Sequence, residues 1–243
     1  MSGATVFALA LLTALATGLG ALPFALVTGI ARHRLGLADA LAAGLMLAAS
    51  VVLLLEGFPH GAGFTAAGAA TGVLAVLLTR RLLARHDHLE VGALHGADAR
   101  RAVLIVGVMT AHSFAEGIGV GVAYGGGEAL GLFVTAAIAL QNVPEGLAIA
   151  LVLVPSGVSV GRAAGWAVVS SLPQPLFAVP AFLAVEAFAQ ALPFGLGFAA
   201  GAMVAMALAD LLVDAVRLSG WRAAPVCLAA TGMGLAVDFA LVP

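Results

Sequence analysis

From Ala4 to Val242 the chain is a succession of apolar runs, each about as long as the roughly 20 residues a helix needs to cross the hydrocarbon core of a bilayer. Eight such spans can be read, at about Ala4–Ile30, Leu37–Leu55, Gly63–Ala84, Ala102–Val122, Ala129–Val154, Ala163–Val185, Phe194–Val216 and Ala223–Val242. Polar or glycine-rich breaks separate them, among them Arg32-His33-Arg34, Gly57-Phe58-Pro59-His60-Gly61, Gly125-Gly126-Gly127 and Pro155-Ser156-Gly157. The expected fold class is an all-α membrane protein with eight transmembrane helices. It forms a single transmembrane domain over residues 1–243, with one histidine-bearing loop at 85–101.

Composition agrees. Only 9% of residues are charged and 63% are hydrophobic, where a soluble domain carries roughly a quarter charged residues. Lipid is therefore the natural solvent for most of the chain. The net charge of −2 excludes an electrostatic nucleic-acid partner. Residues Met1–Leu22 are not read as a signal peptide. They lack a basic leading region, and the apolar run continues past Pro23 to about Ile30. The single cysteine, Cys227, can form no internal disulfide and reads as a small core residue.

Charge placement tests the span count. All ten basic residues are arginines, and they fall at or after the ends of spans 1, 3, 5 and 7: Arg32 and Arg34, then Arg80, Arg81, Arg85, Arg100 and Arg101, then Arg162, then Arg217 and Arg222. The loops after spans 2, 4 and 6 hold none. By the positive-inside rule the arginine side is cytoplasmic, with both termini on the outer side of the inner membrane.

Ionisable groups within a membrane span are costly, and each is a functional candidate. Span 4 carries His112 and Glu116, and span 5 carries Gln141 and Glu145 with Asn142 beside them. In both, a coordinating residue stands four positions before a glutamate, which stacks the two side chains on one helix face. If the stripes face each other, four nitrogen and oxygen ligands converge inside the membrane. Imidazole with carboxylate suits zinc and its first-row neighbours. Two carboxylates also balance one divalent cation, and without it they repel, so metal binding is expected to release protons. Pro144 removes a helix hydrogen bond and frees the Leu140 carbonyl. Gly117, Gly119, Gly121 and Gly146 permit close helix approach.

The stretch His112-Ser113-Phe114-Ala115-Glu116-Gly117 resembles the H-N-x-P-E-G signature of the ZIP (Zrt/Irt-like) divalent metal transporters. Gln141-Asn142-Val143-Pro144-Glu145-Gly146 resembles that family's second signature. Gly18–Pro23, Leu45–Ser50 and Gly201–Val204 are similar to the bacterial GufA-like branch. The resemblance implies a ZIP fold, with spans 1–3 and 6–8 pseudo-symmetric around spans 4 and 5. It implies transport of zinc and related ions (Mn, Fe, Co, Cd) toward the cytoplasm by an elevator-like movement. A binuclear site in many members and often a homodimer are implied as well.

Three positions depart from the pattern. Gln141 stands where many members have histidine, Ser113 replaces asparagine, and Gln174, in Ser170-Ser171-Leu172-Pro173-Gln174-Pro175, replaces a carboxylate. A second ion would rest on Ser113, Asn142, Gln174 and the shared glutamates, leaving its charge uncompensated in a low-dielectric site. One strong site and a weak or absent second one are expected. Met46 in span 2 offers either a soft sulfur or plain packing. Asp210 and Asp214, one turn apart in span 7, suggest an exit relay or a pairing with Arg217. Glu56 and His60 suggest an outer entrance or a solvated loop, and Asp238 receives no role. In the loop, His86, His88 and His95 suit transient metal contact or a solvated linker.

The expected cargo is a divalent metal ion, with no catalytic cofactor, and the expected surroundings are the lipid bilayer. The expectation is a transporter rather than an enzyme. The competing classes are an intramembrane metal-dependent hydrolase, for which an HExxH motif is missing from the sequence, and a metal-independent structural membrane protein.

Overall fold

A computed structural model describes residues 1–26, 31–83, 97–188 and 190–241, with the backbone alone described at 83, 97–105 and 241. Loop residues His86, His88 and His95 lie outside the described residues.

Among the described residues the elements are helical. They are α1 (Gly3–Leu19), α2 (Pro23–Leu26), α3 (Arg32–Leu83), α4 (Ala97–Gly126), α5 (Glu128–Leu153), α6 (Val160–Ser171), α7 (Pro173–Ala187) and α8 (Ala191–Met206). A π-helical turn (Ala207–Leu211) then leads into α9 (Leu212–Ser219), and a 3-10 turn (Gly220–Arg222) into α10 (Ala223–Leu241). Alanine- and leucine-rich runs favour this conformation, and in lipid the helix satisfies its own backbone. Local signals set the ends. The Ser2 hydroxyl accepts from the Thr5 amide at 3.2 Å, capping α1. α7 opens on Pro173, a position where the missing N–H has no helical partner to lose.

Six helical stretches are long and apolar enough to cross a membrane: Gly3–Leu26, Arg32–Leu82, Val106–Gly126, Glu128–Leu153, Val160–Ala187 and Ala191–Ala240. Two of them are 51 and 50 residues long. At about 1.5 Å per residue each would run more than twice the roughly 30 Å hydrocarbon core. Each contains a break at glycine, Gly61 at φ 157° and Gly220 at φ 64°, a backbone region that other residues rarely enter. These breaks coincide with the polar interruptions in the sequence.

α4 and α5 lie at the centre. α4 packs on α5, α7 and α8, and α5 packs on α1, α3 and α6. α3 carries α8, α9 and α10 along its length. The main core holds Met46, Leu53, Phe133, Ile138, Leu196 and Met203, while large apolar side chains such as Leu12, Leu140, Leu183 and Phe239 point outward, the inverse of a water-soluble surface.

Contact between α1 and α5 runs through bare backbone. A Cβ on Gly146 would meet the Thr17 carbonyl, and one on Gly20 would meet the Val143 carbonyl and the Leu147 amide. Small residues let membrane helices approach this closely, and the approach holds Thr13 and Thr17 of α1 beside the polar stretch of α5. Gly146→Ala is therefore expected to cost about 1–3 kcal/mol by overpacking. In thermal unfolding of the detergent-solubilised protein its midpoint should fall clearly below wild type. Gly165→Ala, where a Cβ meets open space, should leave the midpoint where it was. Equal midpoints for the two variants would contradict the close packing.

Candidate functional site

Both glutamates of the sequence motifs are buried at the α4–α5 contact, Glu116 at 0% and Glu145 at 1% exposure. Their carboxyl groups lie within reach of each other. The other polar groups are arranged around this pair. Gln141 Nε2 donates to Glu116 Oε1 at 2.7 Å, and Gln174 Nε2 donates to Glu116 Oε2 at 2.6 Å. Each oxygen of Glu116 thus accepts an amide N–H, one from α5 and one from α7. Charge-assisted bonds of this kind are among the stronger ones a buried carboxylate can have.

Gln174 is saturated. Its Nε2 also reaches Asn142 Oδ1 at 3.4 Å, and its Oε1 accepts from the Thr13 hydroxyl at 2.6 Å and from Asn142 Nδ2 at 3.1 Å. Asn142 Nδ2 donates in addition to the Thr13 carbonyl at 2.7 Å. One step along, the hydroxyls of Thr17 and Ser171 share a hydrogen bond of 2.8 Å. Four helices are therefore joined through one network, with α1 giving Thr13, α4 Glu116, α5 Gln141 and Asn142, and α7 Gln174.

Some buried polar atoms have no hydrogen-bond partner: Gln141 Oε1, Glu145 Oε1 and Ser113 Oγ. Buried polar groups are nearly always paired, and each exception calls for an account. Two of these belong to residues in the carboxylate cluster, and each is an oxygen of the kind that hard and borderline divalent cations take as a ligand.

His112, one turn before Glu116, is 2% exposed. Its Nδ1 donates to the Val108 carbonyl at 2.8 Å, which leaves the lone pair on Nε2. Hydrogen bonding one ring nitrogen to a backbone carbonyl is how a ligating histidine is oriented. Nε2 lies 3.7 Å from Asp210 Oδ2. The structure thus draws Glu116, Gln141, Glu145, Asn142 and Gln174 into one cluster and turns the His112 ring toward Asp210. Met46 is fully buried in the apolar core. Asp214 pairs with Arg217 at 3.3 Å where both are exposed. Glu56 and His60 lie 3.8 Å apart at a part-exposed site, and Asp238 is within electrostatic reach of Glu56. Among the described residues no three His, Cys, Asp or Glu side chains form one group suited to a metal.

Three participants escaped the sequence reading. Thr13 in α1 anchors the amide network. Arg80 in α3 lies 3.0 Å from Asp210 Oδ1. Asp39, 9% exposed, lies within electrostatic reach of both Glu145 and Asp214. Asp39 could have been found by the rule that singled out the glutamates, since it is an acid inside an apolar span.

Comparisons with known proteins agree on one family. A family model described as ZIP zinc transporter matches residues 78–241. The chain is 35% identical over 220 residues to the zinc transporter GufA of Myxococcus xanthus, covering 85% of this chain and 87% of that protein. It is 34% identical over 245 residues to the zinc transporter ZIPB of Bordetella bronchiseptica, covering 93% and 75%. Over 220 residues it is 46% identical to a candidate zinc transporter of Arabidopsis thaliana, covering 89% of this chain and 35% of the plant protein, so the chain spans about a third of that relative's length.

The network around Glu116 predicts a stability effect. Gln174→Leu fills the space but donates nothing, leaving Glu116 Oε2 and the Thr13 hydroxyl without their amide. A cost of about 1 kcal/mol or somewhat more is expected, read as a lowered thermal midpoint in metal-free detergent solution. An unchanged midpoint would mean that the network contributes nothing to the fold.

Proposed function

The chain belongs to the ZIP zinc transporter family, and we propose from that premise that it carries divalent transition-metal ions, zinc foremost, across the inner membrane toward the cytoplasm. The observation that carries this reading is the Glu116–Glu145 pair, two carboxyls in contact and shut off from solvent. A divalent cation between them would neutralise the site and use the unpartnered Glu145 Oε1. Gln141 would turn its amide so that Oε1 takes the ion and Nε2 leaves Glu116. His112 Nε2, already carrying the lone pair, would supply nitrogen from the next turn.

A single strong site follows from the amides. Gln174 and Asn142 spend their hydrogen-bonding capacity on each other, on Thr13 and on Glu116. A second ion would have to break those bonds and would gain no compensating charge.

We read the topology as eight crossings with both termini outside. The 51- and 50-residue stretches each have room for two passes and bend at glycine, and the arginine distribution gives the orientation. An elevator-like movement of the helices carrying the site is what the family resemblance implies. Asp210 then stands on the cytoplasmic way out, as an exit group beside His112.

Reconstituted into liposomes with zinc, manganese, iron and cadmium tested in parallel, wild type should take up zinc fastest. Glu116→Gln and His112→Ala should each lower uptake by more than the roughly tenfold that loss of an outer-shell partner alone costs a metal site. No flux for any ion in wild type that still binds metal tightly would overturn the transport reading.

A further inference from the structure

At the C-terminal end of α3, three side chains from three elements meet. Arg80 lies 3.0 Å from Asp210 Oδ1. The other oxygen, Oδ2, is 3.7 Å from His112 Nε2, and both atoms of that second contact are buried without a hydrogen-bond partner. Asp210 sits in the π-helical turn Ala207–Leu211, the kind of one-turn irregularity that helices keep at functional positions. A cavity of about 80 Å³ lies alongside, lined by Val76, Arg80, His112, Phe198 and Met206 among others. That is well above the roughly 10–15 Å³ one water needs, and leaves room for a cation with part of its hydration shell.

Without Arg80 these two groups could hold a divalent ion as a trap, with water completing its shell. A neutral imidazole with its lone pair outward and an aspartate within 4 Å are a nitrogen and an oxygen ligand suited to zinc. For a transporter such a trap on the way out is harmful, because conduction needs sites that an ion enters readily and leaves readily. We propose that Arg80 is a tethered counter-cation that holds Asp210, so that the His112–Asp210 pair passes a departing divalent ion without retaining it. This rests on the reading that the cargo leaves the Glu116–Glu145 cluster past His112.

The geometry suits that role. Arg80 is charged at any physiological pH, so Asp210 always has a competing cation. Only Oδ1 is taken, which leaves Oδ2 free to receive the ion from His112 before the guanidinium is displaced. The Arg80 side chain is 38% exposed and Asp210 18%, so the guanidinium can swing outward without being buried elsewhere. Once the ion has left, the pair re-forms behind it and removes the negative charge that would draw the ion back. Arg80 is thus a positioning residue for release, not a ligand of the cargo.

Zinc bound per chain in the purified full-length protein tests this directly, with Glu116→Gln as background to remove the main site. Adding Arg80→Gln to that background should add up to one retained zinc per chain, and adding Asp210→Asn as a third change should abolish it. Adding Arg80→Lys, which keeps the charge, should create none. If Arg80→Gln does not yield monodisperse protein, Arg80→Met removes the charge at similar length and gives the same readout. Equal zinc content with and without the guanidinium would overturn the proposal. Zinc retained by Glu116→Gln alone would instead count against the main-site reading, and the difference between the Arg80 variants would still decide this one.

Discussion

Two carboxyl groups in contact inside a helix bundle are the costliest feature of this molecule, and much of the surrounding structure compensates for them. A buried charge is tolerated only when it is paired and hydrogen-bonded. Glu116 receives an amide N–H on each oxygen, and one of those amides is held by Thr13 and Asn142. The close approach of α1 to α5 at Gly20 and Gly146 brings Thr13 into range, so a packing detail of the apolar stripe becomes a requirement of the polar centre. The compensation stops short of completion, because Glu145 Oε1 and Gln141 Oε1 remain unpartnered. A site finished with protein hydrogen bonds alone would have no reason to admit a cation.

Two kinds of polar cluster meet α4 one turn apart, at Glu116 and at His112. Around Glu116 the donors are neutral amides, which satisfy a carboxylate without neutralising it and leave its charge available to a metal. Around Asp210 the donor is a guanidinium, which cancels the charge. That difference separates a place where an ion is held from a place where it is passed on. His112 lies between them, its Nδ1 fixed by the Val108 carbonyl and its Nε2 directed at Asp210.

Much of the fold was legible because the membrane reduces it to runs of apolar residues. The expected bounds of spans 4 and 5, Ala102–Val122 and Ala129–Val154, agree with α4 and α5 to within a few residues. Periodicity could not reveal the interruptions within spans: the division of span 6 at Leu172-Pro173, or the π-helical turn that carries Asp210. Within the site, the i, i+4 spacing identified Glu116 and Glu145, since buried acids are rare in lipid-facing sequence. Thr13 stayed hidden because a single threonine in an apolar helix commonly bonds back to its own backbone, as Thr13 also does to the Ala10 carbonyl. Arg80 and Asp210 are far apart in sequence, and only the packing of α3 against the π-helical turn joins them. His112 and Glu116 stand one turn apart on α4, but no spacing rule says which neighbour an imidazole nitrogen will face.

The central claim is that one cation sits between Glu116 and Glu145. Anomalous diffraction at the zinc edge from protein loaded with excess zinc and then washed tests it most directly. The account predicts one strong peak per chain between the two carboxyls, in a shell of oxygen and nitrogen ligands at about 2.0–2.2 Å. Two peaks of equal strength, or a single peak away from both glutamates, would contradict it.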